Sequence, residues 1–241
     1  MRVKRHIEDT VGATSSSQVR YMRFCIHTLS LTRNQNPQDP NEVSEYWRAG
    51  QLRTGLSNLS NAISCFPPRQ VANFLVQTFF RYAQTTYFYI EERWLLEKLD
   101  NLYNDPSNLT TKHAATVSII LTVFAVGTQY AQLDSPDRNA RSSTNPISSE
   151  DEIGTMFYQH AIRLLPEIIE SSSLESVQAC LLFGVYALPI DASGLGFIYL
   201  NLAIRLGIQN GMHRKVTNPA FSAAMKETRK RVWWSVFALD R

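Results

Sequence analysis

The residues most able to do chemistry in this sequence are basic and aromatic side chains near its C-terminal end. Three consecutive basic residues, 229–231, precede the pair Trp233-Trp234. Eight Lys or Arg residues and two acidic residues lie between 205 and 241, whereas the whole chain of 241 residues carries a formal net charge of +3. Such a segment could meet nucleic-acid phosphates or an acidic partner surface. The alternative is that the charges only solvate one face of a helix.

Helical spacing favours a structural role for the tryptophan pair. The last helical pattern covers residues 220–241, and in it Trp233, Val236 and Phe237 share one face. We expect this face to be buried. Base readout needs an exposed helix that fits a DNA groove, and little of this helix is free of apolar groups. A direct DNA contact by this segment is therefore the less favoured interpretation.

Charged residues on the same helix predict two further contacts. Lys230, Trp234 and Arg241 follow one another at i+4 and i+7, a spacing that suits a cation stacked on an indole at the surface. Asp240 is a candidate ion-pair partner for an arginine on either of the last two helices, which it would hold together. The two candidate arginines are Arg205 and Arg231.

Enzymatic constellations do not occur in this sequence. There is no Gly-x-Ser-x-Gly elbow, phosphate-binding loop or His-Glu-x-x-His pattern. The pair Gly194 and Gly196 lacks the third glycine and the preceding strand of a dinucleotide-binding turn. The five histidines stand alone, with no carboxylate or cysteine at ligand spacing. We therefore expect no enzyme, and no catalytic, cofactor-binding or metal-ligating residue in this chain.

Cysteine usage and apolar runs indicate a protein of a reducing compartment. Cys25, Cys65 and Cys180 are far apart and odd in number, which predicts free thiols. The longest apolar stretch, 117–131, is interrupted by polar residues and is shorter than a bilayer span. A soluble intracellular protein without a membrane partner is the expectation.

The periodicity along the chain predicts an all-α fold of stacked antiparallel helices. Residues 1–65 are polar and read as mostly disordered, with one short helix between Glu42 and Leu59. Helical spacing begins after Phe66, and residues 110–133 are apolar almost all round, as in a central buried helix. Residues 134–148 read as a loop.

Start and stop residues predict where several helices begin and end. The segments 149–152 and 172–175 have the pattern of a capping box. Pro166 should kink or divide the helix that contains it. Asp191 is a candidate N-cap for a helix from Gly194 to Asn210. The left-handed C-cap position that follows is then expected at Gly211.

Several stretches, taken together and in this order, resemble the regulatory domain of fungal-specific transcription factors. This domain is also called the middle homology region of the binuclear zinc-cluster (Zn2Cys6) regulators. The stretches are Pro67 to Phe80, Arg93 to Tyr103, Leu164 to Leu182, Asn201 to Lys215 and Lys226 to Arg241, within a match over residues 66–241. The residues most typical of the family are Arg205, Gly207, Gly211, His213, Arg214, Arg231, Trp233, Trp234, Asp240 and Arg241.

The resemblance implies a nuclear regulator of RNA polymerase II transcription, with this domain acting through transcriptional co-regulators and in a homodimer or a heterodimer. Full-length relatives bind DNA through six cysteines that hold two zinc ions. Here there are three cysteines and no Cys-x2-Cys spacing. We thus expect no cofactor in this chain, zinc only in the cysteine cluster of full-length relatives, and DNA binding only through that cluster.

The last helical pattern reaches the final residue without a cap, so a partial regulatory domain within a larger helical one is expected. The alternative is a helical co-regulator or scaffold that does not bind DNA.

Overall fold

The computed structural model describes residues 57–105, 110–131, 133, 149–190, 194–215 and 221–241. Over these residues the regular structure is helical and contains no strand, which confirms the all-α prediction. In chain order, the α-helices of the described part are α1 (Ser57–Ser64), α2 (Arg69–Thr78), α3 (Glu92–Asn104), α4 (Ala114–Ala131), α5 (Ser149–Ile162), α6 (Leu165–Ser171), α7 (Leu174–Ala187), α8 (Leu195–Gln209) and α9 (Ala223–Leu239).

Helix α4 lies at the centre of the domain, as its composition predicts. Every residue from Ala114 to Thr128 is buried. The helix contacts α2, α5 and α7, and α7 in turn packs against α8 and α9. Together with the turn before it, the span Thr111–Ala131 is long and apolar enough to cross a bilayer by length and composition alone, but 78% of its apolar 18-residue stretch is buried inside the domain. Burial among neighbouring helices accounts for this apolar composition.

The core begins earlier than the boundary predicted at residue 66. Leu59 and Ala62 of α1 are buried in the main core cluster, although the surrounding sequence is polar. Three apolar residues at i, i+3 and i+4, ending at Ile63, are enough to place this short helix on α4 and α5. Most of the predicted helix between Glu42 and Leu59 lies outside the described residues. The predicted disorder of residues 1–56 and the predicted loop 134–148 lie there too.

Proline and serine residues set the helix boundaries between α5 and α7. Pro166 divides two helices, since α5 ends at Ile162 and α6 begins at Leu165. The predicted capping box is shifted by one residue. Ser172 ends α6 in the left-handed conformation, with φ 42°, so it is not available as an N-cap. Ser173 caps α7 instead: its Oγ accepts from the Ser176 N–H at 3.2 Å, and its own N–H donates to the Ser176 Oγ at 3.0 Å.

Helix α8 begins at Leu195, one residue after the predicted start at Gly194. Its N-cap is Gly194, whose φ of 88° suits glycine. Asp191 itself lies outside the described residues. Helix α8 packs closely on α7 because Gly184 leaves room there: a Cβ at this position would lie 2.8 Å from Leu200 Cγ.

Candidate functional site

A tight corner ends α8 and directs the chain toward α9. Gly211 has a φ of 67°, as predicted for a left-handed C-cap. The Met212 N–H donates to the Gly207 carbonyl and the Gly211 N–H to the Ile208 carbonyl, both at 2.9 Å. These two bonds form a Schellman motif, in which the last carbonyls of the helix find donors. The Met212 side chain is buried in the core, which fixes the corner.

Trp233 of α9 packs against α8 where α8 has no side chain. A Cβ on Gly207 would lie 3.2 Å from Trp233 Cε3, so the indole lies against the backbone of α8. The His213 ring lies 5.9 Å from the Trp233 ring on the side of the corner. Val236, one turn along α9, is fully buried, and Phe237 is half-buried. This burial confirms the prediction that one face of α9 belongs to the core.

Arg229 is a buried cation, although the basic run 229–231 was predicted to face solvent or a partner. Only 7% of the residue is exposed. Its Nη2 donates to the Asn210 carbonyl at 2.5 Å, and its guanidinium lies 5.0 Å from the Phe221 ring centre. Burial lowers the pKa of Arg229. Because the carbonyl of Asn210 lies at the C-terminal end of α8, where the helix dipole is negative, this cation ties α9 to the corner. Its spacing from Val232 and Val236, at i+3 and i+7, was the signal in the sequence that could have indicated its burial.

The remaining basic residues of α9 contact phenylalanine rings rather than the predicted indole. The Arg231 guanidinium lies 3.8 Å from the Phe88 ring centre, and the Arg241 guanidinium lies 4.6 Å from the Phe237 ring centre. Over the described residues, no cation stacks on Trp234. The prediction of a Lys230–Trp234–Arg241 stack was thus wrong, because Arg241 contacts the Phe237 ring and Lys230 is near a carboxylate. The Lys230 Nζ lies instead 3.8 Å from a Glu227 carboxylate oxygen.

The predicted Asp240 ion pair does not form in the described part of the chain. Asp240 makes a salt bridge with neither Arg205 nor Arg231. Arg231 is engaged by Phe88, and Arg205 lies on the exposed face of α8. The contact between α8 and α9 is held by Trp233 and Arg229 instead. Of the other family-typical residues, His213, Arg214 and Arg241 are exposed.

The segment 84–90, which follows a π-helical turn after α2, is fixed against α9. The Gln84 Oε1 accepts from the Tyr89 and Ile90 N–H groups at 3.0 and 2.9 Å. The Ser235 Oγ of α9 accepts from the Phe88 N–H at 3.1 Å and donates to the Phe88 carbonyl at 2.6 Å. Gln178 of α7 donates to the Tyr89 carbonyl at 2.9 Å. The side chain of Gln84 within the segment and two elements distant in sequence, α7 and α9, therefore hold this segment in one conformation.

A groove runs between this segment and α9, and we call it the α9 groove. Its volume is about 600 Å³, and it is open to solvent. Trp234 stands in it with 56% of its surface exposed, whereas the neighbouring Trp233 is half-buried. The residues that line it are 84–88 on one side and Glu227, Lys230, Arg231, Trp234, Ser235 and Ala238 on the other.

The cysteines of this chain do not fit a zinc cluster. The sequence has three, and of the two in the described part Cys65 is half-buried and Cys180 is buried in α7. Burial raises the pKa of the Cys180 thiol to about 12, so it stays protonated and is a poor metal ligand. Within the described ranges, no three His, Cys, Asp or Glu side chains group together as metal ligands would.

Comparison with known proteins decides the family. The sequence model of the Fungal specific transcription factor domain matches residues 76–241. The chain belongs to this family. The match covers α3 to α9 completely, and includes the corner after α8 and the α9 groove. No solved structure shows significant similarity to the chain.

Curated relatives of the family domain are fungal regulators. An uncharacterized transcriptional regulatory protein of Schizosaccharomyces pombe is 30% identical over 185 residues, which are 76% of this chain and 22% of that protein. The thiamine repressible genes regulatory protein thi1 of the same organism is 30% identical over 183 residues, 76% of this chain and 23% of that protein. Activator of stress genes 1 of Saccharomyces cerevisiae is 26% identical over 178 residues, 72% of this chain and 18% of that protein. The chain thus spans about a fifth of the length of these relatives.

Proposed function

We propose that this chain is the regulatory part of a fungal zinc-cluster-type transcription factor, and not an enzyme. It would act in the nucleus on RNA polymerase II-dependent transcription. The observation that carries the proposal is the family match over residues 76–241, together with relatives named as transcriptional regulators. The hydrogen bonds of Gln84, Arg229 and Ser235 agree with a regulatory domain, since these side chains join elements of the fold rather than converge on a substrate.

Contact with DNA is assigned to another part of a full-length regulator, where a six-cysteine cluster would hold two zinc ions. Helix α9 is badly placed to contact DNA. Val232 and Val236 are in the core, Arg229 is buried, and the guanidinium of Arg231 lies on the Phe88 ring. A mobility-shift assay of this chain with random-sequence duplexes should show only weak binding that disappears as salt is raised. A sequence-specific shift at physiological salt would overturn this assignment.

A tethering experiment tests the regulatory function directly. The chain is fused to an unrelated DNA-binding domain and expressed in yeast with a reporter gene that carries the matching operator. We expect reporter transcription to change at least severalfold, upward or downward, relative to the DNA-binding domain alone. An unchanged reporter, with the fusion present at normal abundance and bound at the operator by chromatin precipitation, would refute the proposal.

The alternative function is that of a helical co-regulator that does not bind DNA, which agrees with α9, where Val232 and Val236 are in the core and Arg229 is buried. A chain of this kind would act by pairing with intact relatives. Expressed without a tether, it should then alter genes controlled by a full-length relative and co-precipitate with that relative. If it does neither while the tethered fusion is active, the transcription-factor assignment stands and the co-regulator is rejected.

A further inference from the structure

The α9 groove is preformed on both sides. The segment 84–88 is fixed by the Gln84 side chain and by the two hydrogen bonds between Ser235 and the Phe88 backbone. The opposite side is α9, whose buried face holds it on α8. A partner that binds here does not have to order the backbone of the groove first, which removes one of the main entropic costs of association.

The chemistry of the groove is cationic and aromatic. Trp234 presents 56% of its surface to solvent, and large exposed aromatic residues are anchors that protein partners use. Lys230 and Arg231 lie beside it and Glu227 is the single carboxylate of the lining, 3.8 Å from the Lys230 Nζ, so two cations against one anion leave the groove with a net positive charge. The Arg231 Cζ lies over the Phe88 ring, 3.8 Å from its centre, and the residue remains exposed. A guanidinium can bind a carboxylate in a bidentate manner through two of its N–H groups.

The open form of the groove distinguishes between kinds of ligand. A small molecule needs most of its surface covered, and a groove of about 600 Å³ that is open along one side gives less cover than a closed pocket. An extended peptide tolerates this exposure, since only its anchor side chains need to be enclosed. The positive charge beside the exposed indole selects peptides that carry carboxylates.

We propose that the α9 groove binds an acidic peptide segment of a partner protein, with an aromatic or aliphatic side chain packed on Trp234 and flanking carboxylates bound by Lys230 and Arg231. This inference rests on the proposed regulatory function, for which it names the class of partner. The peptide would connect the transcription machinery or another regulator to α9, and so to the corner after α8.

Fluorescence anisotropy of a labelled peptide tests the inference on the full chain. The probe is a 12-residue peptide in which Asp and Glu residues flank one Phe and one Leu. In the comparison probe, each Asp is replaced by Asn and each Glu by Gln. We expect saturable binding of the acidic probe, with a dissociation constant raised at least tenfold by Lys230→Glu or by Trp234→Ala, and little binding of the neutral probe; tenfold corresponds to about 1.4 kcal/mol. Arg205→Glu, an equal charge change on the exposed face of α8, is the matched control and should change the constant less than twofold.

Several outcomes would overturn the inference. The variants must first match the parent chain in circular dichroism and in thermal midpoint, and Trp234→Phe supplies a milder replacement if Trp234→Ala fails this condition. Equal weakening by Arg205→Glu, or full displacement of the probe by a random DNA duplex or by inorganic phosphate at the same charge concentration, would show attraction to anions in general. Tight binding of the neutral probe would reject the role of charge. Failure of binding with an active tethered reporter would reject the groove but leave the regulatory function in place.

Discussion

The ring of Trp233 lies against the backbone of Gly207, so that a Cβ at position 207 would be 3.2 Å from the indole Cε3. This single approach sets how closely α9 lies on α8 next to the corner. Real Cβ atoms seldom make contacts this short, so any larger residue at 207 must displace the indole. The two residues, 26 positions apart, therefore act as one packing unit.

Replacement of Gly207 by valine should push α9 away from α8 and destabilise the domain. Overpacking of this kind costs about 1–3 kcal/mol, more than the few tenths that Val gains over Gly in a helix. Urea unfolding followed by circular dichroism measures the loss. Asn201→Val, on the exposed face of the same helix, is the control and should stay within about 0.5 kcal/mol of the parent chain. Equal losses from both variants would mean that the Trp233 contact does not limit the packing.

Removal of the buried Arg229 guanidinium should weaken the connection between α9 and the corner. The bond to the Asn210 carbonyl is charge-assisted, and its loss leaves that carbonyl without this donor, so Arg229→Ala should cost about 2–3 kcal/mol. Arg231→Ala, two residues along the same helix, removes only an exposed cation from the Phe88 ring and should cost about 0.5–1 kcal/mol. The two free energies of unfolding, compared at one pH and salt concentration, provide the test. A ranking in the opposite order would show that Arg229 is not the stronger tie.

Local patterns in the sequence predicted those parts of the fold that depend on neighbours in the chain. The buried helix around Phe124, the division at Pro166 and the left-handed Gly211 all follow from spacing or from backbone preference. The partners of the α9 cations did not follow, because Phe88 lies 143 positions before Arg231 and no periodicity connects them. The N-cap at Ser173 was missed for a related reason. Ser172, the predicted N-cap, ends α6 in the left-handed conformation, so the packing of α6 decides which serine caps α7.

The thiol of Cys180 should remain unreactive until the whole domain unfolds. It is fully buried in α7, and burial raises its pKa to about 12, so almost no thiolate exists at neutral pH. In a Cys25→Ser background, a thiol-reactive mass tag should label Cys65 in the native protein and Cys180 only in denaturant. Peptide mass mapping identifies the labelled residue. Labelling of Cys180 at the rate of Cys65 under native conditions would show that α7 opens locally and is not part of the stable core.

His160 should make the domain less stable in mild acid. Burial first, and the nearby charge of Arg163 second, lower the pKa of this side chain below its ordinary value of 6.5. The folded state thus binds the proton less tightly than the unfolded chain, so its free energy of unfolding decreases as pH falls below 6.5 toward the folded-state value, and is unaffected by this group above 6.5. His160→Gln should remove that part of the pH dependence between about pH 7.5 and 5.5, and Arg163→Gln should reduce it, since the neighbouring charge is one cause of the shift. Urea midpoints measured across this range decide the matter: parallel profiles for the parent chain and His160→Gln would assign the acid sensitivity to other groups.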